Sequence, residues 1–145
     1  MSDHPEYLFV YGTLRSDIPS SMSKFLRRRA ALVGKATTGG KLVDLGDYPA
    51  FVTGSGTARG ELYRISPERA EETWELLDAY EGVSGGAGEE YQRTEIDVRV
   101  AAGGKFRAQT YAYRKSVGGK PEIPNGDYLP YYRGNSKHQK FTGND

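Results

Sequence analysis

Phe9-Val10-Tyr11-Gly12-Thr13-Leu14-Arg15, FVYGTLR, ends a run that is apolar or aromatic at every position from Tyr7 to Tyr11. A strand buried on one face alternates apolar with polar residues, so this continuous run predicts a strand covered on both. It stops at Gly12. Two readings of YGTLR stay open at this point. It is an ordinary turn in which Thr13 bonds its own backbone, or it presents consecutive backbone N–H groups to a small anion, since Gly12 has no side chain to block the approach. The further glycines and Gly-Lys-Ser/Thr ending of a Walker-type phosphate loop are missing, and a nucleotide site of that kind is not supported.

The rest of the chain is sized and composed for one β-rich domain. Its 145 residues close a hydrophobic core without staples, and 19 Gly with 11 Tyr point to turns and half-buried strands rather than a helical bundle. Basic and acidic residues number 20 and 19, a net charge of +1, so no global field draws in nucleic acid or anionic lipid. Cysteine is absent, which excludes disulfides, thiolate chemistry and Cys-held metals. With no run approaching ~18 apolar residues and no charged leader in MSDHPEYLFV, the expectation is a soluble cytoplasmic protein.

Outward from the first strand, Met22, Phe25, Leu26 and Arg29 fall at helical spacing, predicting a short helix over about 20 to 30 whose Arg27-Arg28-Arg29 end is solvated. Residues 31 to 65 read as four short strands parted by glycine, ALVGKA, GKLVDLG, AFVTG and ARGELYRI, in a curled sheet. Ser66 as N-cap, with Pro67 at the first helical position, opens a helix running to about Tyr80. After the glycine-rich GVSGGAGEE come two strands, YQRTEIDVRV and KFRAQTYAYR, joined by a hairpin-like AAGGK. KSVGGKPEIPNGDY reads as loop. The aromatics of DYLPYYR pack back on the sheet, except that Tyr131 and Tyr132 also suit an interface. Residues 133–145 are expected as a polar, flexible tail.

The second helix carries an acid where an apolar residue belongs. Ala70, Trp74 and Leu77 form one stripe, and the next position on it is Glu81. Either the helix has ended at Gly82 and Glu81 swings into solvent, or a carboxylate stands at the mouth of an apolar cavity. In that second case desolvation raises its pKa above ~4.3, the helix C-terminus pushes the same way, and the group suits general-base work near neutral pH.

Taken together, FVYGTLR, DYPAF, GELYRI, LLDAYEG, EYQR, TYAY and IPNGDY, in this order from about Tyr7 to Tyr132, resemble the γ-glutamylcyclotransferase-like (AIG2-like) family. The resemblance implies an α+β fold, a small mixed β-barrel with flanking short helices, in a single domain over 1–132. It implies a substrate-binding segment of Tyr11, Gly12, Thr13 and Leu14, with Glu81 as the acid–base residue. The implied reaction is cyclisation of a γ-glutamyl amine or γ-glutamyl amino acid to 5-oxoproline, with no metal or organic cofactor and a small-molecule γ-glutamyl substrate as partner. A catalytically silent binding module of the same fold is the alternative. Neither nucleic acid nor membrane is expected as a partner, and the protein is a monomer or homodimer.

Other residues carry weaker expectations. Tyr113 of TYAY is expected to bond substrate or simply to pack. Arg15 attracts a substrate carboxylate or faces water. Asp78 serves the helix end or a nearby backbone group, and Trp74 is core. His4 and His138 lie in polar terminal segments without ligand-like spacing and are expected to be exposed. The 82–90 loop would act as a lid if it covers the cavity, its role otherwise being left open, and Glu89 and Glu90 read as solvated carboxylates.

Overall fold

A computed structural model describes residues 6–83 and 89–143. Five strands, β1 (Glu6–Val10), β2 (Ala30–Asp44), β3 (Pro49–Ile65), β4 (Tyr91–Val100) and β5 (Lys105–Tyr113), close a barrel in the order β1-β3-β2-β4-β5. Most pairs are antiparallel. Closure comes from β5, which pairs parallel with β1 at Leu8↔Gln109 and with β3 at Phe51↔Ala112. Four helices flank the barrel: α1 (Ser21–Arg29), α2 (Ala70–Glu81), α3 (Tyr128–Arg133) and α4 (Ser136–Gly143).

The continuous apolar run of β1 has the cause its pattern predicts. Phe9 and Tyr11 join the cluster inside the barrel with Leu42, Phe51, Leu62 and Val98. Leu8 and Val10 face the other way, joining Leu26 of α1 and Trp74 and Leu77 of α2. With both faces covered from Leu8 to Val10, none of these three positions can carry a polar side chain without burying it.

Three expectations are corrected. The four short strands between 31 and 65 are two long ones, which bend through register shifts at Leu32/Gly34 and Gly39/Gly40 instead of ending there. A bulge inserts a residue and increases the twist, so glycine marks the bend of a barrel strand as readily as its end. Ser66 precedes a 3-10 turn, Pro67–Arg69, without a side-chain cap bond, and α2 begins at Ala70. KSVGGKPEIPNGDY is not wholly loop: Glu122 bridges to Val43, and Pro124–Gly126 forms a second 3-10 turn.

The C-terminal segment departs most from its expected form. Residues 136–143 are helical, and His138, expected in solvent, is 0% exposed. Its Nε2 donates to Asp44 Oδ1 at 2.8 Å, which leaves Nδ1 to accept from the Tyr128 hydroxyl at 2.7 Å. The Tyr131 hydroxyl donates to the other carboxylate oxygen of Asp44. Tyr128 and Tyr132 are buried against the barrel, so Tyr132 is core and not free surface. Asp44 also accepts from the Gly46 amide at 2.7 Å, and Leu45 N–H donates to the Tyr48 carbonyl at 3.0 Å, which folds residues 44–48 into the tight turn between β2 and β3. His4 and residues 84–88 of the expected lid lie outside the described residues.

Candidate active site

At Gly12 the chain leaves β1 and turns, with Arg15 N–H donating to the Gly12 carbonyl at 3.0 Å. A Cβ on Gly12 would stand 2.7 Å from Pro49 Cγ, so only glycine lets the 44–48 turn close against this segment. The Thr13 carbonyl accepts from Ser20 Oγ at 2.6 Å, and Thr13 Oγ1 meets the Tyr80 hydroxyl of α2 at 3.2 Å. The carbonyls of Gly12 and Thr13 are thus engaged. Among the described residues, the amides of Gly12, Thr13 and Leu14 donate to no protein group. Such a run of unspent donors is suited to an anionic oxygen.

Helix α2 delivers Glu81 to the same place. Ala70, Thr73, Trp74 and Leu77 are its buried face, and Glu81 is its last residue. Gly82 takes a left-handed conformation (φ 73°) and ends the helix. Its amide donates to the Ala79 carbonyl at 3.2 Å and that of Val83 to the Asp78 carbonyl at 2.7 Å, a Schellman closure. Helix ending and inward carboxylate therefore coexist. Glu81 retains some exposure, and it lines a cavity of about 380 Å³ together with Tyr11, Gly12, Thr13 and Leu14.

Burial pushes the Glu81 carboxyl up to about 7. Three of the hydroxyls around it supply no relief, because each donates elsewhere: Tyr11 to the Tyr111 carbonyl at 2.7 Å, Tyr91 to the Pro49 carbonyl at 3.0 Å, and Tyr111 to Asp78 Oδ1 at 2.7 Å. Burial first, with the Glu81 charge as a further cause, holds all three phenols above their ordinary range and hence protonated. A carboxylate with no donor can gain or lose a proton close to neutral pH.

Four of the expected binding residues and Glu81 are thus brought together, and Tyr113 is not. It packs edge-on against Tyr91, with centroids 5.5 Å apart, while Tyr111, two residues earlier on the same face of β5, reaches the cavity. Arg15 faces neither water nor this cavity. It is 4% exposed and paired with Asp17 at 2.7 Å and Asp127 at 3.1 Å. Asp78 holds the Tyr111 hydroxyl in place of a helix end, with Arg93 at 3.5 Å and stacked over Trp74 at 4.6 Å. Tyr48, Pro49, Tyr80, Glu90 and Tyr91 also line the cavity. DYPAF and EYQR carried four of these without showing their role. Among the described residues, no group of three or more His, Asp or Glu side chains gathers to hold a metal ion.

Comparison with known proteins places this geometry in a family. A family model described as gamma-glutamyl cyclotransferase, AIG2-like, matches residues 8–130. The gamma-glutamylcyclotransferase family protein YtfP of Escherichia coli K12 is 33% identical over 122 residues, covering 84% of this chain and 95% of that one. The solution structure of ytfP from Escherichia coli aligns with a TM-score of 0.54 at 33% identity, over 86% of this chain and 97% of its own. The crystal structure of an aig2-like protein from Mus musculus shares the fold, with a TM-score of 0.67 at 24% identity over 87% and 90% of the two chains. The chain belongs to the gamma-glutamyl cyclotransferase, AIG2-like family.

Proposed function

We propose that the protein is a cyclotransferase that converts a γ-glutamyl amine or γ-glutamyl amino acid to 5-oxoproline and the free amine. The observation that carries this is the pairing, in one cavity, of a donor-free Glu81 with a pKa of about 7 and a turn of unspent amides. Glu81 as carboxylate takes a proton from the substrate's α-ammonium. The freed amine attacks the γ-carbonyl carbon, Glu81 returns the proton to the departing nitrogen, the old C–N bond breaks, and the ring nitrogen gives up its second proton to the released amine by way of Glu81 as the lactam forms. No electron acceptor, metal or organic cofactor is needed for this balance.

Among the described residues, no Lys, Arg or His lines the cavity. The amides of Gly12 to Leu14 are therefore its donors for anionic oxygens, whether the α-carboxylate or the tetrahedral oxyanion. Because the ring closes within one molecule, holding the glutamyl chain folded against the aromatic wall supplies much of the acceleration. The test is incubation with a panel of γ-glutamyl compounds and detection of 5-oxoproline. Turnover that Glu81→Gln abolishes, with the fold intact, supports the reading. Turnover that survives the substitution removes Glu81 from its role, and binding without turnover across the panel leaves a silent binding module of this fold.

A further inference from the structure

The outer face of the barrel holds a concentration of positive charge that the reaction does not use. Along β2 to β5 the inward positions are Ala36, Ala58, Val98, Val100 and Ala108. Strand alternation therefore sends Lys35, Thr37, Arg59, Arg99 and Lys105 outward. The register lines four of them in one row, Arg59↔Thr37, Thr37↔Arg99 and Arg99↔Lys105. Like charges directly opposite each other on paired strands destabilise a sheet, so Arg99 facing Lys105 works against the fold. Among the described residues, Lys35, Arg59, Arg99 and Lys105 form no ion pair. One row away the same sheet pairs its charge conventionally, Arg107 reaching Glu95 at 2.8 Å and Asp97 at 3.0 Å.

This row borders a hollow of about 410 Å³ whose charged lining is Arg15, Lys35, Arg59, Arg99 and Asp127, with Thr37 also in its lining. The nearby carboxylates are occupied. Asp127 holds Arg15 at 3.1 Å, and Glu61, opposite Lys35 in the register, accepts from both the amide and the hydroxyl of Ser16 at 2.6 Å and is 3% exposed. Arg59 is oriented by a bond from its Nε to the Asn125 carbonyl at 3.2 Å, which leaves its terminal nitrogens unspent. With the whole chain at +1, the excess is a local arrangement.

We propose that this hollow binds a small ligand bearing a phosphate or pyrophosphate group. Arg59 and Arg99 flank Thr37 on neighbouring strands, so their planar forks reach an anion from two sides, with Thr37 between them and Lys35 as a point charge at the edge. A volume of about 410 Å³ suits a ligand of metabolite size. The hollow shares no lining residue with the Glu81 cavity, and the proposal stands whether or not the protein turns over a γ-glutamyl compound.

Inorganic pyrophosphate is the probe, titrated into the intact protein by calorimetry at low salt. Saturable binding is expected, weakened about tenfold or more by Arg99→Gln and by Arg59→Gln. Arg107→Gln, which removes an exposed cation already paired, should leave it unchanged. Thermal melts of the variants that match the wild type place the loss in the site and not in the fold. No saturable binding up to several millimolar, or binding that Arg99→Gln and Arg59→Gln leave intact, overturns the proposal. So does single-stranded RNA competing far below the pyrophosphate concentration, which would make the row a nucleic-acid surface.

Discussion

Glu81 and Asp44 are both carboxylates at the last residue of an element, one ending α2 and the other β2, and both are largely shielded from water. Their acidities move in opposite directions. Burial lifts Glu81 to about 7. Burial pushes Asp44 upward too, but the Tyr131 hydroxyl, the Gly46 amide and the His138 ring outweigh it, and the result lies below its ordinary value. Neither has an Arg or Lys partner among the described residues, but Asp44 has the His138 ring and two further donors against its burial, whereas burial acts on Glu81 unopposed. A buried acid stripped of donors is poised to move protons, and one given three donors is a fixed strut.

The contrast can be broken from either side. Glu81→Gln removes the movable proton, and turnover of a γ-glutamyl substrate is expected to fall about 10²–10⁴-fold, read as 5-oxoproline release. In the active wild type, kcat/KM should rise with pH through about 7, and a profile flat across that range would contradict Glu81 as the base. His138→Ala strips the strut of one donor and leaves the Tyr128 hydroxyl unpaired beside a void. A loss of about 3 kcal/mol is expected in urea unfolding.

The two acids also carry opposite pH signatures. Since the folded-state pKa of Glu81 lies above its unfolded value, ionising it opposes folding, and stability from this group falls as pH rises from about 4.5 to about 7. Glu81→Gln should therefore be more stable than the wild type at pH 8, by about 1–2 kcal/mol after allowance for its partial exposure, and no different at pH 4. Asp44 has the reverse sign. Its depressed pKa stabilises the fold above its unfolded value of 3.8, and that contribution is lost as the pH falls through the folded one. The smallest effect is Tyr131→Phe, which removes one donor from Asp44. It should cost about 1 kcal/mol at neutral pH and raise the acid-unfolding midpoint, an outcome checked by circular dichroism.

Much of the cavity was legible in the sequence because its cues are local. The all-apolar run of β1 encodes burial on two faces within five residues, and the step from Leu77 to Glu81 needs only helical phasing. Distant partners account for what was missed. Arg15 is committed by Asp127, 112 residues on, and His138 by Asp44, 94 residues back. A window on either segment shows a lone polar residue. Tyr111 and Tyr113 share a face of β5, and what sets Tyr111 apart is its bond to Asp78 of α2, 33 residues away, a contact no local window shows. The glycines of β2 and β3 punctuate equally well as ends or as bulges, and barrel closure selects the second.

The 94 residues between Asp44 and His138 also set an order of assembly. A ribosome completes β2 and the 44–48 turn long before it reaches Tyr131 and His138, and until then the Asp44 carboxylate accepts only from the Gly46 amide in its own neighbourhood. Tyr48 and Pro49, the wall that closes on Gly12, are tied first to Glu90 and Tyr91, and the Asp44 end of their turn gains its last donor only after residue 138 has been made. A nascent chain thus has Glu81 and the amide turn well before the turn that carries the wall beside them is fully fastened, and the cavity is finished by residues that do not line it.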